Sequence, residues 1–448
     1  MTDTAREFDI VLFGATGATG RLTARHLAAE AGPDLRLALA GRSATRLESL
    51  ARELGGVARD WPRLVVDAAD EDAVRDLASR TRVVVTTVGP YVKYGPPLVA
   101  ACAEAGTDYC DITGEVLFVH RTMAAHHETA KRTGARIVHA CGFDSVPSDL
   151  GVLVTVEAAR AEGARLLRTR LAVRSSGFGG VGGGTIDTMR TQVDEVTSDA
   201  HALAVMRDPW ALVEGGRPTA GPAVAGETRG ETDEETAASG DGRIRAASRG
   251  PLDILSRAAA RVAKASPVRR DVDNGHFTGP FVMAAFNTRV VARSASLLDY
   301  GPGFRYVEYS DCGAGPRGAV TAATMSLGLG LGLAGMACPP TRVVLDRVLP
   351  KPGEAPSEEA LARGRFRFVI TGEASNGARY RTTVAAPYDP GFYGTAIMLG
   401  QAALALAQDG DRLPDAAGVL TPATAIGMPL VERLREHQFT FETERLPG

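Results

Sequence analysis

Lysine, cysteine and tryptophan are scarce in this 448-residue chain. There are four lysines (Lys93, Lys131, Lys264 and Lys351), five cysteines and two tryptophans. The cysteines Cys102, Cys110, Cys141, Cys312 and Cys338 are odd in number, far apart and without a Cys-x-x-Cys pair, which excludes a disulfide framework and a zinc ribbon. No metal site is expected. Charge of one sign is also missing: 50 basic residues face 53 acidic ones, a net charge of -3, so nothing draws the chain to nucleic acid. The first nine residues carry neither a basic cluster nor an apolar stretch, so no export is expected and a reducing cytoplasm fits. Hydrophobic residues make up 44% and charged residues 23%, with a mean hydropathy of -0.04. Those are values of a soluble globular protein of two or three domains. Glycine is the exception to scarcity, at 51 residues, and it is concentrated in two clusters.

The first cluster follows the apolar run Phe8 to Phe13 and precedes Leu22, Leu27, Ala28 and Ala31 at helical spacing, which predicts strand, glycine turn, helix. Leu35 to Ala40 reads as a second strand, and Ser43 as the cap of a helix with Leu47, Leu50 and Leu54 on one face. Leu64 to Val66, Val83 to Val88, Asp108 to Asp111 and Arg136 to Cys141 continue the strands, with helices near Pro97 to Ala105 and from Glu115 to Thr133. Six strands alternating with helices imply an α/β fold, because each parallel return needs a crossover long enough for a helix. The expected first domain, residues 1–164, is therefore a Rossmann-type doubly wound parallel sheet.

From about Arg165 longer strand candidates take over: Leu167 to Val173, Phe281 to Arg293, Phe366 to Gly372 and Arg379 to Ala385. They predict a second, α+β domain over residues 165–386, for substrate and dimerisation. Residues 214–250 hold almost no large apolar side chain and read as a flexible insertion. Residues 387–448 read as helices, Tyr388 to Gln408 and Thr421 to Glu436, packing back on the first domain. One run, Gly318 to Thr341, carries no charge. Its length approaches a membrane span, but glycines interrupt it and Pro339-Pro340 end it. A buried or homodimer-interface helix, a segment contacting membrane or acyl chain, and a true span all remain open. Membrane contact would place the protein peripherally at the inner face of the plasma membrane.

A strand that ends in a glycine turn and opens a helix aims unpaired N–H groups at one point, which suits a pyrophosphate. Gly14, Ala15, Thr16, Gly17, Ala18 and Gly20 are the candidates, with Thr16 where the common fingerprint has its second glycine. After the second strand stands Arg42-Ser43 rather than an acidic residue. An arginine there welcomes a 2′-phosphate and predicts NADP(H) over NAD; the alternative is a solvated cation at a helix start. Ligands of open parallel sheets bind beyond the carboxyl ends of the strands. That directs attention to Thr87, Val88, Gly89 and Pro90, to the carboxylates Asp111 and Glu115, and to Asp144, Ser145, Ser148 and Asp149. The second glycine cluster, Ser176 to Thr185, reads as a substrate-entry loop or an anion site.

These segments, together with Phe281 to Val291 and Leu420 to Val431, resemble the saccharopine dehydrogenase-like oxidoreductases, and within them the trans-acting enoyl reductases. The resemblance implies NADPH-dependent reduction of a carbon–carbon double bond in an acyl or polyketide lipid intermediate, with a carrier protein as its expected bearer. It places Gly14, Gly17 and Gly20 at the pyrophosphate, Arg42 at the 2′-phosphate, Val88 to Tyr91 beside the nicotinamide and the Asp144 loop beside the substrate. A saccharopine or opine-type amino-acid dehydrogenase is the alternative, although no carboxylate-clamping set of cations stands out. A non-catalytic NADP-binding or membrane scaffold is a third.

Enoyl reduction needs hydride delivery, an oxyanion stabiliser and a proton donor. The chain has no Tyr-x-x-x-Lys, so the pair used by short-chain dehydrogenases is missing. Tyr91, Lys93 and Tyr94 are the first candidates for acid or oxyanion donor, and Asp144 and Ser145 the second. Cys141 would be a nucleophile only with a neighbouring base such as His139, and reads better as a buried strand-end cysteine.

Overall fold

The computed structural model describes residues 6–177, 183–216, 269–337, 341–342 and 357–447. The first layer is a parallel sheet built from β1 (Phe8–Phe13), β2 (Leu37–Gly41), β3 (Arg63–Val65), β4 (Thr81–Thr86), β5 (Asp108–Asp111) and β6 (Arg136–Val138). Between and after them run α1 (Ala18–Glu30), α2 (Ala44–Leu54), α3 (Glu71–Ser79), α4 (Tyr91–Ala105), α5 (Val116–Thr133) and α6 (Val146–Ala161). All six residues of β1 are buried, as expected of a central strand covered on both faces. Ser43 caps α2 by accepting from the Arg46 N–H.

The second layer is a mixed sheet. Its strands are β7 (Leu166–Gly177), β8 (Arg269–Arg270), β9 (Phe277–Gly279), β10 (Arg305–Asp311), β11 (Arg365–Ala374) and β12 (Arg379–Ala386). With it go α7 (Gly183–Ser198), α8 (Ala200–Arg207), α9 (Ala284–Leu297) and α10 (Gly315–Ala337). The C-terminal segment then serves both layers through α11 (Thr395–Gln408), β13 (Gly418–Leu420), α12 (Pro422–Ala425), α13 (Met428–Glu436) and β14 (Thr440–Leu446). β13 pairs in parallel with β6 and β14 antiparallel with β12. The sheet orders are β13-β6-β5-β4-β1-β2-β3 and β14-β12-β11-β7-β10-β9-β8. The α/β class, the second domain and the return of the C-terminal helices, α11 lying against α1, are as the sequence predicts.

Four expectations need correction. The parallel sheet has seven strands, not six, because β13 arrives from the C-terminus. Phe281 to Arg293 is not a strand: α9 takes up most of it, burying Phe286, Asn287, Val290, Val291, Arg293 and Ser294 at helical spacing. The helix expected near Pro97 begins at Tyr91, so Tyr91, Lys93 and Tyr94 lie in its first turn. β6 stops at Val138, leaving His139 and Cys141 beyond it. Residues 318–337 of the uncharged run lie in α10, which exposes Val320, Met325, Leu327 and Leu331. The expected insertion lies, past Gly216, outside the described residues.

Candidate active site

The carboxyl edge of the parallel sheet gathers most of the residues singled out above. Gly14 adopts φ +86°, where side chains are strained, and its N–H and that of Ala15 both donate to the Ala40 carbonyl. A Cβ on Gly20 would fall 2.2 Å from the Gly14 carbonyl oxygen, so only glycine lets α1 start this close to the turn. Helix α1 has Gly17 as its N-cap, no side-chain cap and no acid in its first turn. Its first N–H groups and positive end therefore suit an anion. Ala15 is buried, Thr16 and Ala18 are half-buried and Gly17 is exposed. Next door the Thr87 hydroxyl donates to the Gly14 carbonyl at 3.1 Å, tying the end of β4 to the turn. Val88 follows, held by its N–H to the Thr86 hydroxyl, then Gly89 and Pro90.

At the end of β2, Arg42 is exposed and makes no ion pair among the described residues. Arg46, one turn into α2, is likewise exposed and without an ion pair among them. The sequence reading passed over Arg46, although its spacing of four from Arg42 on a capped helix was the available signal.

Tyr91 cannot be the acid the sequence suggested. It is 5% exposed; its hydroxyl donates to the Thr86 carbonyl at 3.1 Å and accepts from the Ile112 N–H. Burial, with Asp111 nearby, holds its pKa well above the usual tyrosine value. Its role is to brace the loop. Lys93 and Tyr94 are exposed on the same turn, with Lys93 close enough to Asp194 of α7 to help lower that carboxyl, after Arg342.

The Asp111 and Glu115 carboxylates are both fully buried and both occupied. Asp111 accepts from the Thr113 and Ala140 N–H groups and from the Tyr109 hydroxyl, and lies 2.7 Å from His139 Nδ1. His139 thus faces Asp111, not Cys141. Burial pushes the Cys141 thiol well above its ordinary range, which leaves it an inert core residue. Glu115 accepts from the Tyr91 and Val92 N–H groups and from the Thr188 hydroxyl of α7.

The segment after β6 divides its labour. Ser145 is fully buried and donates to Asn287 Oδ1 on α9 at 2.9 Å. Asn287 continues to Ser148 and Glu308, and the Tyr306 hydroxyl closes the network on Glu308. Burial lifts Glu308 to about 7. Asp149 accepts from Ser294 and from the Ala423 N–H, joining α6 to α9 and α12. Asp144 is different. Its side chain is half-buried and makes no hydrogen bond among the described residues. It stands against Gly114, where an added Cβ would lie 3.3 Å from Oδ2 and 3.2 Å from the Met283 methyl. The surrounding protein desolvates it and pushes its pKa up to about 6.

The glycine turn at the carboxyl edge of the parallel sheet has the geometry of a dinucleotide site, and comparison with known proteins agrees that the domain binds NADP. The family description "Saccharopine dehydrogenase NADP binding domain" matches residues 10–138. A putative trans-acting enoyl reductase of Mycobacterium tuberculosis is 42% identical over the whole of both chains. A trans-acting enoyl reductase of Mycobacterium ulcerans is 40% identical, again over both full lengths. The chain belongs to the trans-acting enoyl reductase family. It is a saccharopine dehydrogenase-like, NADP-dependent oxidoreductase. The solved yeast saccharopine dehydrogenase (L-Glu forming) superposes with a TM-score of 0.51 over 98% of this chain and 100% of that one, at 10% identity, which shows a shared fold. The enzyme's own residues fit the cofactor: the Gly14–Gly20 cradle accepts no side chain at its closest approach, and Arg42 could hold a 2′-phosphate.

Proposed function

We propose that the enzyme reduces the double bond of an α,β-unsaturated acyl thioester borne by a polyketide synthase carrier, with Asp144 as proton donor. Bound NADPH supplies a hydride, which goes to the β-carbon. The carboxyl proton of Asp144 goes to the α-carbon, and the carboxylate regains a proton from solvent. The observation that carries this reading is Asp144 itself, a carboxyl with no hydrogen-bond partner among the described residues and raised to about 6 by burial, at the edge where parallel sheets bind their ligands. The names of the full-length relatives support enoyl reduction by a trans-acting enzyme.

In this reading the Gly14–Gly20 turn holds the pyrophosphate, Arg42 and the capped α2 start at Ser43 hold the 2′-phosphate, and Thr87 to Pro90 line the nicotinamide. Arg42→Ala is expected to weaken NADPH binding by about tenfold, roughly 1.4 kcal/mol, and to leave NADH unchanged. Calorimetric titration with both nucleotides checks it, and an equal loss for both would remove Arg42 from the 2′-phosphate.

The reaction is tested with an enoyl N-acetylcysteamine thioester and NADPH, following loss of the reduced cofactor. Asp144 must carry its proton to act, so kcat is expected to fall as pH rises through about 6. Asp144→Asn removes that proton and is expected to lower kcat by about a hundredfold, within the usual range for general acids, and to flatten this limb. An Asn variant that keeps both rate and pH profile would show that another group donates.

A further inference from the structure

Helix α4 opens at the cofactor edge without any cap of its own. Its N-cap is Pro90, which makes no side-chain cap hydrogen bond, and the first two N–H groups, Tyr91 and Val92, need acceptors from elsewhere. Both find them in one carboxylate, Glu115 from the loop after β5. Oε1 accepts from Tyr91 at 2.8 Å and Oε2 from Val92 at 2.7 Å. Glu115 is fully buried, and burial raises its pKa while these two backbone donors and Thr188 lower it. The third donor comes from the other domain: the half-buried Thr188 of α7 reaches Oε1 at 3.2 Å.

The two capped residues directly follow Val88, Gly89 and Pro90. Any shift of Glu115 therefore moves the start of α4 and the loop before it. Tyr91, whose hydroxyl is fixed to Thr86 and Ile112, makes that segment rigid enough to transmit such a shift.

We infer that Glu115 is a positioning residue for the nicotinamide end of the cofactor, held in register with the second domain by Thr188. The inference rests on the placement of the nicotinamide beside Thr87 to Pro90 proposed above. Glu115 touches neither cofactor nor substrate; it acts through α4. Glu115→Gln keeps the size but turns one acceptor into a donor facing an N–H, so the loop must move. Thr188→Val keeps the cap and removes only the link to α7.

The test is calorimetric titration of the full-length protein with two probes, NADPH and adenosine 2′,5′-bisphosphate, which lacks the nicotinamide. Glu115→Gln is expected to weaken NADPH by about tenfold and Thr188→Val by about threefold, with the bisphosphate unchanged in both. Equal losses for the two probes would mean general damage to the fold, and no loss for either would mean that the loop does not depend on its cap; both overturn the inference. If Glu115→Gln fails to fold, Thr188→Val carries the test, and unchanged NADPH affinity there sinks the proposal. Wild-type protein that binds NADPH no tighter than the bisphosphate would instead overturn the placement of the nicotinamide, and the inference with it.

Discussion

Replacing Arg293 with alanine is expected to cost about 2–5 kcal/mol of stability, because it strands two buried carbonyls at about 1–3 kcal/mol each. Arg293 lies on α9 in the second domain and its side chain is 2% exposed. From α9 its guanidinium ties down two further segments. Nε and Nη2 donate to the Val419 carbonyl of β13, and Nη1 to the Leu212 carbonyl at 3.0 Å. Nη2 also lies 3.6 Å from Glu214 Oε1. Glu214 in turn meets His127 Nε2 of α5 at 2.9 Å, while His127 Nδ1 accepts from the Val419 N–H at 3.0 Å. Burial brings the Arg293 pKa down to about 10, which still leaves it charged at neutral pH. The alanine variant removes the cation and strands two buried carbonyls. Its effect should be local first: β13 has only three residues, and with Arg293 gone it is left with its pairing to β6 and the His127 bond from α5. Hydrogen–deuterium exchange is expected to show lost protection over 418–420 at temperatures where β1 and β4 remain protected. An unchanged denaturation midpoint would show that the guanidinium is replaceable by water.

The same cluster explains why parts of this fold were legible in the sequence and others not. The glycine turn, the Ser43 cap and the six leading strands rest on neighbours within a few residues, so spacing alone reveals them. β13 is three residues long and gains its identity from β6, nearly three hundred residues away in the chain, which no local pattern encodes. The error over Phe281 to Arg293 has a similar source. The buried set Phe286, Asn287, Val290, Val291, Arg293 and Ser294 has helical period, but Asn287, Arg289 and Arg293 look like surface residues. They are inside because Asn287 meets Ser145, Arg289 holds the Asp208 and Met206 carbonyls, and Arg293 holds β13. In the candidate site, the roles of residues within the loops depend on long-range partners. Tyr91 and Ser145 look reactive in sequence and are tied up internally, and Glu115 reads as a loop acid yet serves as the cap of a helix that precedes it. Asp144 stands out only once its neighbours are known to have partners.

A second large effect is expected in acid, at the seam between α1 and the C-terminal helices. Gln401 on α11 directs its amide nitrogen at two imidazoles, 3.0 Å from His26 Nε2 and 2.7 Å from His437 Nε2. Arg433 donates to the Gln401 oxygen, which fixes the amide in that sense. His26 Nε2 must then accept, which requires its neutral ring. The rings are 5.1 Å apart, and Glu30 lies 3.5 Å from His437. Burial first, and the charge of His437 second, bring His26 down from 6.5 to about 4. A folded pKa below the unfolded one means that the unfolded chain binds the extra proton. The stability from neutral His26 is therefore complete above about pH 6.5 and lost as pH falls towards 4, by about 2 kcal/mol at pH 5 and about 3 kcal/mol below pH 4. The buried carboxyls act in the opposite sense over the same range, since Asp108 and Asp149 are each raised to about 6 and gain from acid. The total pH profile mixes both, so the comparison has to be with a variant. His26→Gln keeps an acceptor for Gln401 and cannot take the proton. Its stability relative to wild type is expected to improve by about 2 kcal/mol between pH 7 and pH 5, measured by urea denaturation at each pH. A constant difference between the two proteins would mean that His26 titrates alike in the folded and unfolded chains. The neighbouring glycine sharpens the case: a Cβ on Gly400 would lie 2.5 Å from the His26 ring, so the imidazole has no room to turn from Gln401 when it is protonated.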